Sequence, residues 1–181
     1  MKSSGSPILP LRTDLNLNQE VGMIQKVVTG GQTGAEQAAW VAARRAGIVT
    51  AGYMPHGFLT EDGPAPRVGA LYGAIEFPMD DARRIRANLR RADGLFWFGD
   101  PDSTEAADTF AACRELAKPF LTINPGFTPP AEVVAWLSVF ETATLVVAGD
   151  RASRAPRIGP LVEAFLDRTF AALRRAGMRD K

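Results

Sequence analysis

From Met23 onward, short β-branched or aromatic runs alternate with helix-patterned segments, and few architectures other than α/β layers produce that order. The run GLFWFG, Gly94–Gly99, is apolar throughout, as a central parallel strand covered on both faces requires. Further strands are expected at Met23–Gly30, Ile48–Pro55, Ala74–Pro78, Phe120–Ile123 and Ala143–Gly149. Helices are expected at Ala35–Gly47, Asp80–Ala92 and Ser103–Ala117, with another running from Pro129 or Pro130 to near Phe140. A last one covers Ile158–Ala176, where Ile158, Val162, Leu166, Phe170 and Leu173 recur at helical spacing. The fold expected is an α/β domain with a mostly parallel central sheet flanked by helices. Pro55–Ala74 carries three prolines and four glycines, so a long irregular loop is expected there.

At 181 residues the chain is long enough for one domain with a sizeable core. Residues 23–181 are assigned to that domain. Residues 1–22, rich in Ser, Pro, Asn and Leu, are expected to form a flexible N-terminal tail ahead of Met23. A net charge of +1 argues against a non-specific polyanion or membrane-surface binder. No basic–aromatic interleaving points to nucleic acid. Cys113 is the only cysteine, which excludes an internal disulfide and fits a reducing compartment. With no membrane span and no secretory core in the first residues, a cytoplasmic location is expected.

A parallel sheet gathers the loops at its strand C-termini along one edge, where ligands of open α/β folds bind. Three such loops stand out, and together they are expected to form one composite site. In the first, Thr29–Glu36, the residues Gly30, Gly31 and Gly34 let a ligand approach the backbone, and the following helix aims N–H groups at an anion. Thr33 adds a hydroxyl. The loop is neither a Walker A sequence nor a dinucleotide fingerprint, and turn and packing needs alone account for its glycines about equally well. In the second, Gly99–Ala106, Ser103 is a good N-cap. Ser103 and Thr104 are candidates for phosphate or sugar oxygens, and Asp100 or Glu105 for ribose hydroxyls. A capped helix with solvated acids is the competing account. The third, Ala148–Pro156, holds Arg151, Ser153 and Arg154, with Arg157 just beyond. Arginine forks suit phosphate, and Arg151 and Arg154 are assigned that role.

Other residues carry less. His56 is the only histidine, so a His-based triad or a multi-histidine metal site is hard to assemble, and no metal ligands are assigned. Cys113 lies mid-helix as a small buried residue, and Trp40, Trp97 and Trp136 fit the core. Glu61 and Asp62 are either general bases or turn formers beside Gly63.

The segments GGQTGAEQAAWVAARRAGI, GYMPHGFLTEDGPAP, NLRRADGLFWF, AKPFLTIN and VVAGDRASRAPRI occur in an order that resembles the proteins named "putative molybdenum carrier". These resemble a circularly permuted branch of the SLOG superfamily, Rossmann-like proteins related to the lysine decarboxylase-like nucleotide phosphoribohydrolases and to DprA-related proteins. The resemblance spans about Lys26–Phe170. It implies a Rossmann-like three-layer fold that binds a nucleotide or nucleotide-like phosphorylated ligand, often as a homodimer. Gly30, Gly31, Gln32, Thr33 and Gly34, with Arg151, Ser153 and Arg154, match the family pattern. The chain departs from it at Glu36-Gln37, where Asp-Arg is usual, and in the second loop, which has no glycine between Asp100 and Thr104. In the catalytic phosphoribohydrolases a PGGxGT-E element supplies the catalytic Glu, and Glu105 is at best a shifted substitute.

Three functions follow in order of preference. The first is binding, and carrying, of a phosphorylated nucleotide or a molybdopterin-type cofactor at the Gly-rich loop with an arginine clamp. The second is hydrolysis of the N-glycosidic bond of a nucleoside monophosphate, with Asp100 or Glu105 as catalytic carboxylate. The third is a nucleotide-sensing module. The residues leave open whether the chain is an enzyme.

Overall fold

The computed structural model describes residues 24–179; the expected tail, 1–22, and Met23 lie outside the described residues. Six strands form one sheet: β1 (Lys26–Val28), β2 (Val49–Pro55), β5 (Ala74–Phe77), β6 (Gly94–Phe98), β7 (Phe120–Ile123) and β8 (Thr144–Gly149). Their order is β5-β2-β1-β8-β6-β7, and every neighbouring pair is parallel. The last strand in the chain therefore lies between the first strand and β6, in the middle of the sheet.

Helices cover both faces. On one side lie α1 (Ala35–Arg45), α5 (Pro130–Val139) and α6 (Ile158–Arg179); on the other lie α3 (Asp81–Arg90) and α4 (Thr104–Glu115). The strand period of two sorts side chains between these layers. Phe96 and Phe98 of β6 enter the first core, and Leu95 and Trp97 enter the second. All five residues of β6 are buried, which is why its sequence is continuously apolar. In α6 the residues Ile158, Val162, Phe165, Leu166, Phe170 and Leu173 are buried, so the helical repeat marks its core face. Trp40 is fully buried, and Cys113 sits in the second core, where burial pushes its thiol up to about 11.

Pro55–Ala74 is not the irregular loop expected. It holds a short turn at His56–Phe58, a two-stranded hairpin of β3 (Leu59–Thr60) and β4 (Gly63–Pro64), and a helix α2 (Pro66–Tyr72). Its prolines and glycines delimit these pieces: Pro66 stands in the first turn of α2, and Gly73 caps it in the left-handed conformation. Gly69, mid-helix, leaves room for the Phe58 ring, whose Cδ1 lies 2.5 Å from where a Cβ would stand. Among the described residues no helix is long and apolar enough to cross a membrane.

Candidate functional site

The three loops leave β1, β8 and β6, which are adjacent in the sheet, so they meet at one edge. Backbone hydrogen bonds fasten them together. The Ala35 N–H donates to Asp150 O at 3.1 Å, and the Asp150 N–H to Phe98 O at 2.8 Å. The Asp100 N–H reaches the Asp150 carboxylate at 3.0 Å. This closeness explains two of the glycines. Gly34 has φ 80°, and a Cβ there would stand 2.5 Å from Asp150 O and 2.8 Å from Ala152 N. A Cβ on Gly30 would collide with the Arg84 guanidinium and stand 3.0 Å from Glu36 Oε2. The room these glycines leave is filled by protein atoms.

Glu61, in the turn between β3 and β4, ties the first loop to the third. It accepts the Thr33 hydroxyl, the Ser153 hydroxyl, and the Ser153 N–H at 3.0 Å. Thr33 in turn accepts the Ala152 N–H at 3.2 Å. The two hydroxyls, Ser153's first, hold the Glu61 carboxyl below the usual carboxylate range, against the opposing effect of burial. Asp62 is a turn former, its N–H donating to Thr60 Oγ1 at 3.2 Å.

Arg154 ties the third loop to the second. Its guanidinium donates to Asp100 and to Glu105, each at 3.2 Å, and stands 4.0 Å from Asp150. Its side chain remains 46% exposed. Ser103 is buried and caps α4: its hydroxyl donates to Asp100 O at 2.9 Å and accepts the Ala106 N–H at 3.2 Å. Thr104 and Arg157 are exposed.

Two compartments open among these groups. The inner one, about 160 Å³, lies against the sheet beneath α3 and α4; Gly30, Gln32, Glu36, Arg84 and Arg151 line its polar side, and Leu89, Leu95, Trp97 and Val146 its apolar side. The outer one, about 200 Å³, is bounded by Glu61, Glu105, Asp150, Arg151, Ser153 and Arg154. Glu105, Gly149 and Arg151 border both. Within the inner compartment Arg84 is 5% exposed. Its Nε and Nη2 hold Asp81 at 3.2 and 3.1 Å, and Nη1 reaches Tyr53 O at 3.4 Å. Glu36 accepts the Gln32 N–H at 2.8 Å. Burial raises its carboxyl above the usual range, opposed by Arg84, the Gln32 N–H and Arg151.

A family model matches residues 27–170, a span that contains all three loops, the Glu61 hairpin and both compartments. The chain belongs to the circularly permutated YpsA SLOG family. A solved structure of the "Putative molybdenum carrier protein" from Syntrophus aciditrophicus SB is 28% identical to this SLOG protein, with a TM-score of 0.74. The alignment covers 82% of this chain and 96% of that one. No curated protein matches.

Of the site residues expected for this SLOG protein, the fold brings together Gly30, Gly31, Gln32, Thr33 and Gly34 with Asp100, Glu105, Arg151, Ser153 and Arg154. Of these, Gly30 and Gln32 border the inner compartment, Ser153 and Arg154 the outer one, and Glu105 and Arg151 both; Gly31, Thr33, Gly34 and Asp100 line neither, nor do Thr104 and Ser103, which faces its own helix end. Arg84 and Asn88 were not singled out by their sequence context, and Glu36 stood out only as a departure from the family pattern, without a role. Asn88 fastens α3 to β2, accepting the Tyr53 N–H at 2.8 Å and donating to Tyr53 O at 3.3 Å. A signal for Arg84 and Asn88 existed: they are four residues apart, next to Ile85 and Leu89, so two polar side chains share the stripe that α3 buries.

Proposed function

We propose that this SLOG protein binds a phosphorylated, nucleotide-like ligand across the two compartments, either a nucleotide or a molybdopterin-type cofactor. The observation that carries this reading is the pairing of a small, largely apolar compartment with a polar one, joined at Arg151. Ligand sites of this kind combine apolar walls with a few placed polar groups. The inner compartment suits a ring, and the outer one suits sugar hydroxyls, which the carboxylates of Glu61, Glu105 and Asp150 can accept. Arg151 and Arg154 are the cations beside it for a phosphate, Arg154 by exchanging its bonds to Asp100 and Glu105. The name of the Syntrophus protein supports a molybdenum-related ligand for this chain as well. Among the described residues no group of three His, Cys, Asp or Glu is placed to hold a metal ion, so the donors suit the organic part of such a cofactor better than a bare ion. The hydrolytic reading relies on Asp100 or Glu105, and their shared ion pair with Arg154 favours binding over that role.

The test is a thermal-shift panel with AMP, ADP, ATP, ADP-ribose, a pterin phosphate and molybdate, followed by analysis for cleavage products. A ligand at 100 times its Kd adds about 2.7 kcal/mol, equivalent to roughly 5–11 °C for a domain of this size. Arg154→Ala is expected to weaken phosphate-ligand binding by about 1.5–3 kcal/mol, the scale of a hydrogen bond to a charged group. No shift with any organic ligand would sink the reading, unchanged affinity in the variant would remove Arg154 from the site, and release of free base would make the chain a hydrolase.

A further inference from the structure

The donors gathered around Glu61 are those a phosphate would need. Its Oε1 accepts the Thr33 hydroxyl and the Ser153 N–H, and its Oε2 accepts the Ser153 hydroxyl. Thr33 also accepts the Ala152 N–H at 3.2 Å, which leaves its own hydrogen for the anion. Two loops thus aim three donors at one carboxylate, and the Ser153 hydroxyl, followed by that of Thr33, favours its charged form. The turn keeps its shape without this contact, because Thr60 Oγ1 donates to Gly63 O at 2.9 Å and accepts the Asp62 N–H at 3.2 Å. Among the described residues, only the three bonds to Glu61 join the turn Glu61–Gly63 to the first and third loops. Rotation of one side chain therefore frees the donors.

Charge decides whether Glu61 and a phosphate can share the outer compartment. Glu61, Glu105 and Asp150 border it against Arg151 and Arg154, so carboxylates already outnumber guanidiniums. A phosphate group adds about 1.5–2 further negative charges, and like charges at close range repel. The two cations are not equally engaged. Arg154 pairs with Asp100 and Glu105 and stands 4.0 Å from Asp150. Arg151 has no ion pair among the described residues, and its charge acts on Glu61 from a distance. The donor cradle thus has an unpaired cation beside it and an internal carboxylate in it.

We propose that Glu61 is a built-in competitor for the ligand's phosphate: the phosphate takes the Thr33 and Ser153 donors beside Arg151, and Glu61 turns away. This rests on the proposed phosphorylated ligand and names the group that its phosphate displaces. Two phosphate oxygens span nearly the same distance as the two of a carboxylate, and another is left for the Arg151 guanidinium. Once displaced, the Glu61 carboxylate is free to accept ligand hydroxyls. A site that is open only part of the time binds more weakly by that fraction. Three hydrogen bonds screened by water close it enough to lower phosphate affinity about five- to thirtyfold.

The experiment is an NMR titration of the isotope-labelled full chain with inorganic phosphate and, separately, with AMP. In the parent, phosphate is expected to shift the Ser153 amide, whose N–H changes partner from carboxylate to phosphate. Glu61→Ala is expected to bind phosphate about five- to thirtyfold tighter than the parent. Adding Ser153→Ala to that variant should return the affinity to within about threefold of the parent, because the gain depends on the cradle. A gain that survives the loss of Ser153 would be charge removal alone and would overturn the proposal. Unchanged or weaker phosphate binding by Glu61→Ala would overturn it as well. So would phosphate binding to the parent that leaves the Ser153 amide unmoved, a result that depends on no variant's folding. AMP binding to the parent alongside any of these three results would leave the phosphorylated ligand standing. Failure of phosphate and AMP to bind any of the proteins would overturn both.

Discussion

Replacing Glu61 with alanine removes the residue that holds the first and third loops together. The carboxylate accepts three hydrogen bonds, from the Thr33 hydroxyl, the Ser153 hydroxyl and the Ser153 N–H. Each bond to a charged group is worth about 1.5–3 kcal/mol when buried. Here the carboxylate is partly exposed, water can replace it, and the loops stay joined through Ala35–Asp150 and Arg154. Discounting for that screening leaves about 1–2 kcal/mol in total, or a Tm lower by about 2–8 °C. The pH dependence is the sharper test. The folded-state carboxyl of Glu61 is held below its ordinary 4.5, so its stabilisation is fully present above pH 4.5 and is lost as pH falls through the lower folded value. Differential scanning calorimetry of both proteins at pH 7 and at several points from 5 to 3 should show the gap in Tm closing on acidification. Glu61→Gln, which keeps an acceptor but not the charge, should fall between the two at pH 7. Equal Tm values at pH 7, or a gap that persists unchanged at pH 3, would show that Glu61 does not latch the loops.

Gly34→Ala combines a left-handed φ with a backbone collision against Asp150 and Ala152; the expected cost is about 3 kcal/mol, seen as a Tm lower by about 6–12 °C. A variant as stable as the parent would show that the loops are not packed as described. Cys113, fully buried and with its thiol pushed up to about 11, should resist a thiol reagent at pH 8 in the native protein and react promptly in denaturant. Rapid native labelling would contradict its place in the core.

The sequence by itself determined the layer architecture and the edge of the sheet where the three loops meet. GLFWFG is apolar on both sides because β6 is covered on both sides, and the repeat in α6 and the Ser103 cap are local patterns that a single segment carries in full. The parallel order of the strands brings the three loops to one edge whatever their details, so the grouping of Gly30–Gly34 with Asp100, Glu105 and Arg154 was legible too. The short elements inside Pro55–Ala74 were not, since two-residue strands leave no periodicity to read.

Only the tertiary structure decided what the residues of the candidate site touch. Glu61 meets Ser153 across 92 residues, and Arg154 meets Asp100 across 54, because β8 inserts between β1 and β6. The Arg84 guanidinium fills the space that Gly30 leaves, and Glu36 lies over the loop at the position an anion was expected to take. A glycine records that something comes close, and a charged residue that it needs a partner or water. Which atom comes close, and which partner is met, depends on chain segments far away in sequence, and their positions are set by the packing of the whole sheet.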